Sequence, residues 1–263
     1  MGQKSNLETL RKSNLQYNLI TQNPKEFVYG LKFLQFFSNL FYKKKIIIVE
    51  KNLNFESNKL FLNLSLFFQT TKLLNFQKKI SSKKLNGGGL NFSFLYPLIR
   101  NHFSLLNNNF VQVSLTNLNY DINEKSLTFF FNKLRRFSGA LFTRRFNLFV
   151  DFIKIAALFG KNKVNSKTFL FVVGQVFRTL PKRKHNIFLI FLKTVFQVLI
   201  ENKSILGVKF LISGRLKGKP RSSTVSILMG STPVQSLSEN IEYSKTNVYT
   251  LNGAFGFKLW VYR

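Results

Sequence analysis

From Gly207 to the final residues the chain repeats with a period of two. Val208, Phe210 and Ile212 alternate with Lys209, Leu211 and Ser213, and Phe255, Phe257, Leu259 and Val261 alternate with Gly256, Lys258 and Trp260. This period predicts half-buried strands, because successive strand side chains point to opposite faces. Gly214, Gly218, Gly230, Gly253 and Gly256 fall where such strands must turn or approach one another closely. Upstream the period becomes helical. Leu170, Val173, Val176 and Phe177 form a stripe that runs to Leu180 and stops at Pro181. Phe188, Phe191, Leu192, Val195 and Leu199 form the next, ending near Asn202. A helical hairpin packed on a mostly antiparallel sheet is expected, with Pro181-Lys182-Arg183-Lys184-His185 at the bend.

The first half is patterned less regularly. Residues 1–24 are polar and Asn-rich without a period, and read as an arm. Phe27, Leu31, Leu34 and Phe41 recur near helical spacing, and Lys43-Lys44-Lys45 closes that run favourably for a helix dipole. Ile46-Ile47-Ile48-Val49 is a β-branched strand. Leu60 to Phe68 predicts a second, with Leu60, Leu62, Leu64 and Leu66 set against Phe61, Asn63, Ser65 and Phe67. A loop, Asn86-Gly87-Gly88-Gly89, precedes a helix-like run from Phe92 to Leu106 that contains Pro97, and Phe110 to Leu115 is a third strand.

Between the halves, residues 116–166 interleave Lys133, Arg135, Arg136, Arg144 and Arg145 with Phe129, Phe130, Phe131, Phe137, Phe142 and Phe146. Basic residues among aromatics can hold phosphate and stack bases. The same pattern also describes an amphipathic insert. The phenylalanines are expected to pack, and the arginine pairs to meet RNA or a neighbouring protein. Asp151 and Lys154 read as a surface pair.

Charge then narrows the partners. Lys+Arg 40 against Asp+Glu 10 gives a net charge of +30, a field that draws polyanions. Nucleic acid comes first and an anionic membrane surface second. With 45% apolar residues the chain is a folding protein rather than a basic tail. No apolar run reaches the roughly 18 residues that span a bilayer. Ile187 to Ile200 is short and broken by Lys193, and Met1-Gly2-Gln3-Lys4 opens no signal peptide. Cysteine is absent and histidine occurs only at 102 and 185, which excludes disulfides, thiolate sites and His-rich metal cages. No nucleophile–base grouping or phosphate-binding glycine loop is present, so neither an enzyme nor a cofactor is expected. The 32 phenylalanines, with abundant Asn, Lys, Leu and Ile, suggest an A+T-rich gene of the organellar kind.

One resemblance gathers these readings. The order Gly207-x-Lys209, Ser213-Gly214-Arg215-Leu216-x-Gly218, Gly230-x-x-Pro233, Leu237, Ile241-x-Tyr243, Thr250, Gly253-x-x-Gly256-x-Lys258-x-Trp260 resembles, in residues and spacing, the C-terminal domain of small-subunit ribosomal protein three. Met1-Gly2-Gln3-Lys4 is similar to that family's opening. Between Gly218 and Gly230 the family's acidic and aromatic residues are replaced by Ser, Thr and aliphatics, and its arginine there has its nearest candidate in Arg221.

The resemblance implies an α+β protein: arm 1–24, a KH-like domain 25–115, the insert 116–166, and the C-terminal domain 167–263. In the KH-like domain Asn86-Gly87-Gly88-Gly89 stands where the family has a G-x-x-G loop that clamps nucleic-acid backbone. It further implies that Arg178, Lys182, Arg183, Lys184, Lys209, Arg215, Lys217, Lys219, Arg221 and Lys258 contact RNA. The implied role is a structural constituent of the mitochondrial small ribosomal subunit, holding rRNA of the head and lining the mRNA entry path beside neighbouring small-subunit proteins. Mitochondrion is favoured over plastid because plastid and bacterial relatives usually keep the intact glycine loop. The alternative is an organellar KH-type protein acting on free mRNA or introns, and a basic protein lying on an inner-membrane surface is a more distant third.

Overall fold

The computed structural model describes residue 41 and residues 46–56, 59–69, 110–122, 124–142, 146–218, 220–236, 238–251 and 253–263, with backbone alone for 51–62, 110–113 and 217. The described residues fall into two compact units that meet in sequence between Asn117 and Leu118.

The first unit contains β1 (Ile46–Glu56), β2 (Lys59–Phe68) and β3 (Phe110–Asn117), in the order β1-β2-β3. β1 and β2 are antiparallel, whereas β2 and β3 run parallel. The register of β1 shifts between Ile48 and Glu50, where the Glu50 N–H donates to Ser65 Oγ at 2.9 Å. Ile46, Ile47, Val49, Leu64, Leu66 and Phe67 are buried. β1 extends beyond the apolar run that predicts it, because Lys51–Glu56 pair with Lys59–Leu64. The predicted arm, the helix before Phe41, the Asn86–Gly89 loop and the helix 92–106 lie outside the described residues.

The second unit is α+β. After a short 3-10 turn (Leu118–Asp121) come α1 (Glu124–Leu141), α2 (Phe146–Gly160), α3 (Ser166–Arg178) and α4 (His185–Glu201). β4 (Gly207–Gly214), β5 (Ser223–Gly230), β6 (Ile241–Thr250) and β7 (Gly253–Tyr262) then form an antiparallel sheet in the order β5-β4-β7-β6. The predicted alternation sets its two faces. Val208, Phe210, Ile212, Phe255, Phe257, Leu259 and Val261 are buried. The α3–α4 hairpin lies on that face: the Phe177 ring meets Phe255 at 4.9 Å and Phe257 at 5.3 Å, and Phe196 meets Phe210 at 5.8 Å. Gly174 permits the contact, since a Cβ there would stand 2.8 Å from Val248 Cγ2.

α1 and α2 pack against the same hairpin. The Phe191 ring of α4 lies 5.4 Å from Phe137, 5.8 Å from Phe142 and 5.1 Å from Phe152. Phe159, near the end of α2, stacks on Phe169 of α3 at 4.4 Å. Arg263 ties this end of α2 to the sheet. Its guanidinium lies 4.9 Å from the Phe159 ring centroid and donates to the Phe159 carbonyl at 3.3 Å, while its Nε pairs with Glu242 at 3.3 Å. A cation over the last carbonyls of a helix complements the dipole.

The phenylalanines at 130, 137 and 142 are buried and only Phe129 of that set is exposed, so they pack rather than present themselves to a ligand. The surface reading of Asp151 is corrected: this side chain is 2% exposed. α2 is buried at every position from Phe149 to Phe159 except Lys154, so polar residues three apart on it mark no solvent face. Among the described residues no helix is long and apolar enough to cross a membrane.

Two expectations follow from this core. Phe191→Ala removes the ring on which α1 and α2 converge and should cost about 3–5 kcal/mol of unfolding free energy. Chemical denaturation checks the loss, and hydrogen exchange should show α1 and α2 opening first. The second concerns His185, which is buried with its ring 4.6 Å from Phe177 and 5.8 Å from Phe255. Burial, and then the charge of Lys182, hold its pKa below 6.5. The unfolded chain therefore takes up the proton first as pH falls. The stability from neutral His185 is complete above about pH 6.5 and is lost as pH drops through that value toward the lowered folded one. Melting temperatures taken from about pH 7.5 to 5.5 should fall, and fall less in His185→Phe.

Candidate nucleic-acid interface

The bend of the α3–α4 hairpin is built by local chemistry. α3 ends at Arg178, where the Thr179 hydroxyl and backbone N–H both donate to the Val176 carbonyl, at 2.8 and 3.1 Å. Pro181 has no N–H to extend the helix and sits extended at φ −73° and ψ 156°. Lys182–Lys184 then form one 3-10 turn, closed by Lys184 N–H donating to the Pro181 carbonyl at 2.9 Å, and α4 begins at His185. Lys182 and Arg183 are exposed and Lys184 is half-buried.

A second basic segment, distant in sequence, meets this turn. β4 ends at Gly214, Arg215 follows, and Leu216–Gly218 makes another 3-10 turn. The two 3-10 turns are in contact. Gly218 adopts φ +75°, a left-handed conformation that favours glycine, and a Cβ there would lie 3.2 Å from Lys182 Cδ. Buried Leu216 anchors the turn, while Arg215 and Arg221 are exposed.

Arg178, Lys182, Arg183, Lys184, Arg215 and Arg221 thus flank one corner of the unit. Among the described residues none of these cations forms an ion pair. α4 has no acidic residue in its first turn, so the positive end of its dipole adds to the lysines rather than offsetting them. Crowded unpaired cations beside a helix N-terminus disfavour one another and favour an anion. The chemistry offered is fixed charge and many donors, suited to phosphate and indifferent to base identity. Buried neutral His185 forms the floor beneath the corner and adds no charge at neutral pH.

The other anticipated residues lie elsewhere. Lys209 and Lys258 stand on the outward face of the sheet. Lys209 is five residues before Gly214, about 17 Å along the strand. Its Nζ lies 5.4 Å from the Trp260 ring centroid, and Lys258 is exposed. Arg135 and Arg136 are exposed on α1, with the Arg136 guanidinium 4.8 Å from the Phe137 ring. The backbone places Lys217 in the Leu216–Gly218 turn. Lys219, Arg144, Arg145 and Asn86–Gly89 lie outside the described residues. Sequence reasoning passed over Lys245, which faces Lys258 across the β6–β7 pair. β6 carries no clean apolar alternation around Lys245, so its outward placement comes from the pairing with β7.

Residues 188–261, from the first turn of α4 to the end of β7, match the family model described as ribosomal protein S3, C-terminal domain. Small ribosomal subunit protein uS3c of Chlamydomonas moewusii is 35% identical over 92 residues, 35% of this chain and 11% of its own length. Small ribosomal subunit protein uS3 of Phytoplasma mali is 41% identical over 56 residues, 21% of this chain and 23% of its own. The corresponding protein of Kosmotoga olearia is 36% identical over 61 residues, 23% of this chain and 28% of its own. The chain therefore spans roughly a tenth to a quarter of the length of these relatives. The matched residues carry the sheet, its glycine turns and the helix that starts at the basic corner, and this part of the chain is similar to the C-terminal domain of ribosomal protein S3.

Proposed function

We propose that this chain is a structural protein of the small subunit of an organelle-type ribosome, that of the mitochondrion, and that it works by neutralising RNA phosphates. The observation that carries the reading is the corner where Lys182–Lys184 meet Leu216–Gly218: cations from two sequence-distant segments, unpaired within the described residues, on an S3 C-terminal domain. Its partners are small-subunit rRNA, mRNA and neighbouring small-subunit proteins, and it performs no catalysis. The relatives named uS3c and uS3 favour an organelle-type ribosome. The mitochondrial assignment rests on the A+T-type composition and on Asn86 replacing the first glycine of the G-x-x-G loop. Residues 25–115 are assigned to a KH-like domain and 116–166 to an insert.

Within this role the corner is assigned to the mRNA entry path. Fixed charge without base reading suits a path that must pass any sequence. The proposal fails at its first step if the chain does not sediment with small subunits in high salt. Recovery in free ribonucleoprotein would mark a non-ribosomal RNA binder, and release by detergent alone a membrane-surface protein. For the corner, Lys182, Arg183 and Lys184 are replaced together by Ala, and organellar translation is measured on a message with and without a downstream hairpin. Loss confined to the hairpin message is expected. Equal loss on both messages, or failed subunit assembly, would make the corner an rRNA anchor.

A further inference from the structure

The sheet has a second face, which the hairpin does not cover. Register places Lys209 of β4 opposite Trp260 of β7, Trp260 opposite Tyr243 of β6, and Lys258 opposite Lys245. All five lie on the side away from the buried Val208–Phe257 layer, because they alternate with it along each strand. No Asp or Glu occupies an outward position on any of the four strands.

This arrangement is costly without a ligand. Lys245 and Lys258 are both exposed and directly opposed across an antiparallel pair, the placement in which like charges destabilise a sheet. Lys209 is the diagonal neighbour of Lys258, about 7–8 Å away by sheet geometry. Beside the lysines, the Trp260 and Tyr243 rings lie 5.1 Å apart, and Lys209 Nζ sits 5.4 Å from the Trp260 centroid. A row of like charges flanked by aromatic rings matches a strand with regularly spaced phosphates and flat bases. A carboxylate-bearing partner would satisfy the lysines but leave the aromatic platform unused.

We infer that the outward face of the β5-β4-β7-β6 sheet holds a single-stranded RNA segment, with phosphates on Lys209, Lys245 and Lys258 and a base against the Tyr243–Trp260 pair. The inference deepens the proposed function and rests on it, but it concerns a surface separate from the basic corner.

Trp260 is the chain's only tryptophan, so its emission reports on this face alone. The full chain is titrated with a short single-stranded uridine oligomer and, separately, with polyglutamate, from about 50 to 200 mM salt. The RNA should change Trp260 emission. Lys245→Gln with Lys258→Gln should weaken that response several-fold and lower the slope of log affinity against log salt by about 1.4, or about 0.7 for each phosphate contact. The Lys182, Arg183 and Lys184 alanine variant should bind less RNA overall yet keep the emission change, which separates failure of this face from failure of the corner. RNA binding that leaves Trp260 emission unaltered would overturn the inference, and that readout needs no variant. So would an unchanged salt slope in the lysine variant with an unaltered melting curve. A response to polyglutamate but not to RNA would overturn it in favour of an acidic protein partner.

Discussion

The second unit depends on one constraint: the α3–α4 hairpin is apolar toward two different neighbours. Phe177 and Phe196 face the sheet, while Phe191 and Phe169 face α1 and α2. A helix pair buried in both directions leaves little surface for solvent, and the bend at Pro181 is where its polar residues gather. The cations are therefore held by the packing beneath them. His185 against Phe177 and Phe255, and Leu216 under its turn, fix the two backbone segments. The lysine and arginine stems reach outward from there.

Charge follows the same division. The acidic side chains that form ion pairs lie away from the corner: Glu201 with Lys133 at the α1–α4 contact, and Glu242 with Arg263 at the foot of the sheet. In those places a carboxylate fixes one element to another. Among the described residues no such partner stands at the corner or on the outward sheet face, which leaves those cations open to an anion from another molecule. For a protein of net charge +30 this separates cations used within the fold from cations left for a partner.

The sheet and the hairpin were legible because each has a clean period. Every buried apolar side chain of β4 and β7 was readable from alternation, and Pro181 announced the bend. Three things were not legible, for different reasons. The contact between Lys182–Lys184 and Leu216–Gly218 depends on how α4 crosses the sheet, which local periodicity does not encode. Asp151 misled because α2 is buried nearly all round, so its pattern lacks the polar stripe that separates a surface residue from a core one. Lys245 was missed for a third reason: Ser244, Thr246 and Asn247 around it are all polar, and the faces of β6 do not separate by residue type. Only its pairing with β7 shows which way it points.

The family match begins at Phe188, inside the first turn of α4, yet the folding unit begins much earlier. A chain cut to the matched residues would keep the glycine turns and the four strands of the second unit's sheet. It would also strip Phe177 from Phe255 and Phe257, and Phe137, Phe142 and Phe152 from Phe191. Those rings have no other way to leave water, since the sheet needs a cover on its apolar face and α4 alone supplies only part of it. α1 and α2 lie outside the matched segment, but they complete the core on which the recognisable domain rests. The corner draws on both parts: Arg178, Lys182, Arg183 and Lys184 precede the matched segment, while Arg215 and Arg221 lie within it. A function assigned from the matched residues alone would omit the bend of the hairpin, where two-thirds of the corner's named cations reside.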